Sequence, residues 1–231
     1  MAQVLEFPDQ EALLSKLTGE LTALLKAALL ERRAATLVVS GGRTPEALFK
    51  RLSQVKLDWS RVTVTLADER WVPEEDGDSN AALVRRTLLQ GPAAKAAFLP
   101  LYGGEETPEM GEEACQRALK SLARPFDALL LGMGEDGHTA SFFPGAKKLK
   151  QALNPKPGKL CQAIRAPGAA QPRMTLTLPA LMEARRIFLL ITGEKKRAVL
   201  DEALKRGPVS EMPVRAILHQ RDVPLEVLWA P

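Results

Sequence analysis

Ala128-Leu129-Leu130-Leu131-Gly132-Met133-Gly134-Glu135-Asp136-Gly137-His138 is the stretch on which the reading of the fold turns. Its first four residues form a short apolar run, the mark of a strand buried on both faces. The run breaks into GMGEDGHTASFFPG, Gly132 to Gly145, which brings together closely spaced glycines, two carboxylates and one of the chain's 2 histidines. Glycines at that density let the backbone take positive φ and come close to a ligand. A histidine in such a loop, beyond the end of a buried strand, stands where α/β proteins keep their chemistry.

Working outward, the same grammar repeats. Asp9 caps a predicted helix to about Arg32, with Leu13, Leu14, Leu17, Leu21, Leu24, Leu25 and Ala28 at three- and four-residue spacing. Thr36 to Val39 reads as a buried strand that breaks at Ser40-Gly41-Gly42-Arg43; Thr44 then caps a helix opened by Pro45. Val62 to Ala67 reads as a strand ending in Asp68-Glu69-Arg70, before a polar loop and a helix from Asn80. A short strand near Phe98 and a helix opened by Thr107-Pro108 lead to the strand at Ala128. Beyond the glycine loop come a Lys- and Pro-rich surface excursion, Lys147 to Gly158, and strands at Leu160–Ile164 and Met174–Leu178. A strand at Ile187–Ile191 feeds Thr192-Gly193 and a helix from Glu194 to Arg206, stopped by Gly207-Pro208. Pro213 starts a short helix, and Leu225 to Trp229 is a last strand.

Helices alternating with short apolar strands predict an α/β fold, a Rossmann-like, mostly parallel sheet covered on both faces. Ligands in such sheets bind beyond the carboxyl ends of the strands. That rule gathers four loops on one rim: Ser40 to Thr44, Asp68 to Ser79, Gly132 to Gly145, and Thr192 to Lys196.

Gly132, Gly134 and Gly137 spell the G-x-G-x-x-G of a dinucleotide site, but the context fails. Glu135 and Asp136 lie inside the loop and would repel a pyrophosphate, and no acid stands about 20 residues on to hold a ribose. The other loops suit a simpler anion. Ser40-Gly41-Gly42 before a helix offers backbone N–H groups as a cradle, though a plain tight connection would look the same. Lys195, Lys196 and Arg197 crowd the first turn of a helix, against its dipole, which an anion would relieve. Lys196 is the candidate contact, with Lys195 and Arg197 reaching into water. Arg70 has the fork that matches phosphate. His138 is the candidate general base; His219, near the end of a short helix, reads as structural. Ser141 lacks a nucleophile elbow, and neither H-x-x-x-H nor C-x-x-C marks a metal site.

The bulk numbers fit one domain over residues 1–231. With 231 residues and 45% hydrophobic content, the chain can bury a full core. A net charge of +4 is mild for a nucleic-acid binder and agrees with a small anionic substrate. Cys115 and Cys161 read as reduced core thiols of a reducing compartment. Leu13 to Leu30 is interrupted by Lys16, Glu20 and Lys26, so it is no membrane span, and the start lacks a secretory pattern. A cytoplasmic protein, with no nucleic-acid or membrane partner and at most a weak dimer, is expected.

Taken together, SGGRTP at Ser40, DERWVP at Asp68 with a downstream SN at Ser79-Asn80, GMGEDGHTASFFPG at Gly132, RMTLTLP at Arg173 and GEKK at Gly193 resemble the 6-phosphogluconolactonase family. The resemblance covers nearly the whole chain in order, and D-G-H-T-A-S with F-P-G is its most specific part. S-G-G-x-T-P and G-x-x-K are shared with the wider superfamily of glucosamine-6-phosphate deaminases and ribose-5-phosphate isomerases. Arg43, Phe142 and Ala67 depart from the usual pattern without removing a functional group. The resemblance implies a fold like that of the NagB, RpiA and CoA-transferase proteins. It also implies hydrolysis of 6-phospho-D-glucono-1,5-lactone without metal or organic cofactor. His138 would activate water, and Arg70, Lys196 and the Ser40-Gly41-Gly42 turn would hold the phosphate. Asp68 and Asp136 would orient His138 or the sugar hydroxyls, with the division between them open. An isomerase or deaminase of the same superfamily would bind the same phosphate. A non-catalytic sensor would need an added DNA-binding module, for which the sequence leaves no space.

Overall fold

A computed structural model describes residues 3–154 and 158–231. In chain order the elements are β1 (Gln3–Glu6), α1 (Gln10–Arg32), β2 (Ala35–Val39), α2 (Glu46–Leu52), β3 (Val62–Leu66), β4 (Asp68–Arg70), α3 (Asn80–Thr87), β5 (Ala97–Leu99), α4 (Pro108–Lys120), β6 (Ala128–Leu131), α5 (Leu149–Ala152), β7 (Cys161–Ile164), β8 (Arg173–Leu176), α6 (Leu178–Met182), β9 (Ile187–Thr192), α7 (Glu194–Ala203), α8 (Arg215–Leu218) and β10 (Leu225–Ala230). Seven strands form one sheet in the order β1-β10-β9-β6-β2-β3-β5, every neighbouring pair parallel. Each residue of β2 and β6 is buried, which requires cover on both faces. The fold class read from the apolar runs is the fold observed.

Helix α1 shows how the pattern works. The Asp9 side chain accepts a hydrogen bond from the Ala12 N–H at 2.8 Å, and Leu13, Leu14, Leu17, Leu21, Leu25, Ala28 and Leu29 are buried. That stripe packs on β2, β6 and β10, and one contiguous apolar cluster joins it to the sheet.

The structure differs from the sequence reading at five points. Gln3–Glu6 forms an edge strand parallel to β10, too short and too polar at its ends for periodicity to reveal. Thr44 does not cap α2; the chain is already helical at Pro45, the helix starts one residue late, and no side-chain cap bond forms. The strands read at Leu160 and Met174 do not join the parallel sheet. They form, with Asp68–Arg70, a separate antiparallel sheet ordered β4-β8-β7. The excursion from Lys147 is not wholly superficial, since α5 buries Leu149 and Ala152; its residues 155–157 lie outside the described ones. Helix α7 also ends earlier than read, at Ala203.

The topology fixes where a ligand goes. From β2 the chain moves to β3 and β5 on one side, while from β6 it moves to β9 and β10 on the other. β2 and β6 are neighbours, so their outgoing loops part and leave a crevice between them. The loops are Ser40–Thr44 and Gly132–Gly145, pinned at their origin by the Ser40 N–H donating to the Leu130 carbonyl at 3.0 Å.

Candidate active site

The crevice is a pocket of about 190 Å³. Among its walls are Ser40, Gly41, Gly42, Asp68, Arg70, His138 and Lys196, so seven predicted site residues from four loops meet in one place. Arg43, Thr44, Asn80 and Arg173 line it as well.

The floor is the turn after β2. Gly42 has φ +103°, which a side chain would strain. Gly41 is glycine for another reason: a Cβ there would fall 1.8 Å from Asn80 Oδ1. The Ser40 hydroxyl is buried and has no hydrogen-bond partner among the described residues.

One wall comes from β4. Alternation along a strand sends Asp68 and Arg70 to one face and Glu69 to the other. Glu69 is fully buried and takes up the backbone around it. Its Oε1 accepts from the N–H groups of Asn80 (2.7 Å) and Arg70 (2.8 Å), and its Oε2 from Ala81 (2.8 Å) and the Ser79 hydroxyl (3.3 Å). Burial pushes this carboxyl up to about 7, against the pull of the three N–H donors. Arg70 Nη1 donates to Asn80 Oδ1 at 2.8 Å and to the Asp78 carbonyl at 2.5 Å; Asn80 Nδ2 donates to the Asp68 carbonyl at 2.9 Å.

Asp68 is buried as well. Its Oδ2 accepts from the Ser141 hydroxyl at 2.6 Å and lies 3.7 Å from Arg173 Nη1. Arg173 is there because β8 pairs with β4 in the register that sets it opposite Arg70. Burial lowers the Arg173 guanidinium below its usual range; Asp68 opposes that shift and Arg70 adds to it. The Nε atoms of Arg70 and Arg173 are buried with no partner among the described residues. With Ser40, that makes three polar groups beside one pocket short of partners, a shortage an anion would relieve.

The opposite wall is the glycine loop. The Gly134 N–H donates to the His138 carbonyl at 2.9 Å and the Gly137 N–H to the Gly134 carbonyl at 3.1 Å, closing a tight turn. A Cβ at Gly134 would lie 2.2 Å from the His138 ring, and Gly137 has φ +78°. Gly134 makes room for the ring, and Gly137 allows the positive φ of the turn. Asp136 Oδ1 accepts from the His138 N–H at 3.1 Å and sits 2.5 Å from its Nδ1. Burial alone would raise the Asp136 carboxyl, but the hydrogen bonds and charge of His138 outweigh it and hold it below the usual range. With Nδ1–H given to Asp136, the ring's lone pair is on Nε2. The imidazole packs on Phe143 at 4.1 Å between ring centroids, and the Arg173 guanidinium lies 5.3 Å from the same ring centre.

At the mouth stands Lys196, in the first turn of α7. It is half-buried, makes no ion pair among the described residues, and is pulled below the usual lysine range by burial. Glu135 opposes that shift and Arg43 reinforces it. Lys195 is exposed, whereas Arg197 binds Glu6 at 2.6 Å and Asp201 at 3.0 Å rather than reaching free into water.

Of the two predicted acids, then, Asp136 holds the imidazole and Asp68 holds Ser141 and Arg173. Ser141 is fully buried and spends its hydroxyl on Asp68, which removes it as a nucleophile. His219 Nε2 meets the Ala203 carbonyl at 3.0 Å, a structural contact. Cys115 and Cys161 are free and buried, and the Cys161 side chain and burial raise the Cys115 thiol. Among the described residues no three His, Cys, Asp or Glu gather as a metal site, and no helix is long and apolar enough to cross a membrane. The sequence reading passed over Asn80, Arg173 and Arg43 as site residues. All three lay within motifs already quoted, but strand pairing brings Arg173 to the pocket and hydrogen bonds to Glu69 and Arg70 hold Asn80 there.

Residues 8–229 match the family model described as glucosamine-6-phosphate isomerases/6-phosphogluconolactonase. A 6-phosphogluconolactonase of Rhizobium meliloti strain 1021 is 45% identical over 97% of both chains. The crystal structure of a 6-phosphogluconolactonase from Shewanella baltica OS155 superposes with a TM-score of 0.97 at 41% identity, covering 100% of this chain and 98% of that one. A monomeric glucosamine-6-phosphate deaminase of the NagB superfamily shares the fold at a TM-score of 0.81 and 19% identity, covering 99% of this chain and 97% of that one. With nearly its whole length matched, the chain belongs to the glucosamine-6-phosphate isomerase/6-phosphogluconolactonase family.

Proposed function

We propose that this chain hydrolyses 6-phospho-D-glucono-1,5-lactone to 6-phospho-D-gluconate, the second step of the oxidative pentose phosphate pathway, with His138 as general base. The observation that carries the reading is a histidine whose Nδ1 is occupied by Asp136, in the same small pocket as three polar groups and a lysine that are short of partners among the described residues.

The steps follow from that placement. Arg70, Lys196 and the Ser40-Gly41-Gly42 turn bind the 6-phosphate, as Arg forks and close-approaching backbone do. Holding the distant phosphate spends remote binding energy on placing the lactone carbonyl. His138 Nε2 takes a proton from water as the oxygen attacks C1. The carbonyl oxygen becomes an oxyanion, stabilised by Arg173, which packs on the same Phe143 ring as the imidazole. Collapse breaks the bond from C1 to the ring oxygen, and the imidazolium returns its proton to that leaving oxygen. A lactone is a reactive ester, so no covalent nucleophile, metal or organic cofactor enters the scheme. Two buried thiols fit the reducing cytoplasm.

The test is acid release in a pH-stat from freshly prepared phosphogluconolactone, with spontaneous hydrolysis subtracted. Catalysed release is expected, much faster for the phosphorylated lactone than for glucono-1,5-lactone. Release of ammonia from glucosamine 6-phosphate, with no lactone hydrolysis, would replace this reading with that of a deaminase.

A further inference from the structure

Asn80 makes more contacts than its place in a helix requires. It is the first residue of α3, and Ser79 already caps that helix through the Ala82 N–H at 3.1 Å. Capping therefore leaves the Asn80 amide without a task, yet it is 2% exposed and both its polar atoms are engaged. Oδ1 accepts from Arg70 Nη1, and Nδ2 donates to the Asp68 carbonyl. Its main chain is fixed from below by the buried Glu69, which holds the Asn80, Ala81 and Arg70 N–H groups together. Its side chain occupies the space that a Cβ on Gly41 would need.

We propose that Asn80, seated by Glu69 and against Gly41, is a positioning residue that holds the Arg70 guanidinium in its phosphate-binding orientation and so sets the preference for a phosphorylated lactone. The proposal rests on the reading of Arg70 as a phosphate anchor. Arginine has a long, flexible stem, and ordering it on binding costs affinity. Two acceptors on Nη1 do that ordering in advance. Without Asn80, the remaining acceptor is the Asp78 carbonyl, in the polar loop before α3. The identity of Gly41 follows too: it is small because the amide stands there.

The experiment compares Asn80→Ala, Gly41→Ala, the double variant and Arg70→Ala on phosphogluconolactone and on glucono-1,5-lactone. Asn80→Ala is expected to raise KM for the phosphorylated lactone about tenfold, the worth of one hydrogen bond to a charged group. Its kcat should stay within about twofold, and hydrolysis of the unphosphorylated lactone should not change. Gly41→Ala should show a similar loss by displacing Asn80, and adding it to Asn80→Ala should cost nothing further. Equal losses on both lactones, or none, would overturn the positioning role. If Asn80→Ala does not fold, Asn80→Ser, too short to reach Arg70, decides: full preference for the phosphorylated lactone in that variant overturns the proposal. Arg70→Ala separates the two levels. Should it leave the preference intact, the anchor reading falls and this proposal with it. Should it abolish the preference while Asn80→Ala and Gly41→Ala do not, only the positioning role fails.

Discussion

The two walls of the pocket are built in different ways. His138 is set by its own neighbourhood: Asp136 is two residues away, Gly134 makes room for the ring, and Phe143 lies under it. Arg70 is set by a network. Its partners are 8 and 10 residues on, and the Asp68 beside it is bonded to Ser141, 73 residues away. In the proposed reaction the first wall concentrates one chemical event in one side chain, and the second spreads phosphate binding over buried groups that also hold the fold together. Damage should therefore read as lost turnover on one wall, and as lost affinity or stability on the other.

The largest effect expected is at the local wall. His138→Ala should lower kcat about 10²–10⁴-fold, the usual worth of a positioned general base. Product affinity and thermal stability should stay close to those of the parent, because the phosphate end is untouched. Steady-state kinetics with calorimetry of phosphogluconate binding measures both. Near-parental turnover would strip His138 of its role and leave the two walls alike.

The same contrast explains what the sequence discloses. The glycine loop is legible because its causes are local; a strand, closely spaced glycines and a histidine announce themselves within eleven residues. Strands β2, β6 and β9 are legible because burial on both faces demands unbroken apolar runs. The antiparallel sheet is not. Asp68-Glu69-Arg70 carries three charges where a strand pattern would show apolar residues, and it is a strand only because β8 pairs with it. Arg173 becomes a pocket residue through that register, and a slip of one residue would turn it to the opposite face. The division of labour between Asp68 and Asp136 stays open in sequence for the same reason, since Ser141 and Arg173 reach Asp68 only in three dimensions.

A middle effect tests the networked wall through its hub. Burial raises the Glu69 carboxyl from 4.5 to about 7, so the folded protein prefers it neutral. The stability this provides is fully present below about pH 4.5 and is lost as pH rises through about 7. A proton on Oε2 would have the Ser79 oxygen, 3.3 Å away, as its acceptor. Glu69→Gln is neutral throughout and lacks this dependence, while the other titrating groups are common to both proteins. Its amide also sets a donor against backbone N–H groups, so it should be the less stable protein at acid pH. Between pH 4.5 and 7.5 its deficit should shrink by about 3 kcal/mol, read from urea midpoints across the range. A deficit independent of pH would mean that the N–H donors keep Glu69 ionised. The hub would then be a charge, not a buried acid.

The smallest effect separates two helix starts that open on the same pocket. Local sequence offers a cap at each: Thr44 before Pro45, and Ser79 before Asn80. Only Ser79 is one, accepting from the Ala82 N–H while its own hydroxyl reaches Glu69. Thr44 has no cap bond, because α2 is entered from a Pro45 already in helical conformation and begins one residue later. Ser79→Ala should therefore cost about 1 kcal/mol in thermal unfolding, the typical worth of a cap. Thr44→Ala should stay within about 0.5 kcal/mol. Equal costs would mean that the turn after β2 is held by its own side chains, as the glycine loop is. Unequal costs in the expected order would leave that turn held by its glycines and by Asn80 packed against it, and so would tie the pocket floor to the networked wall.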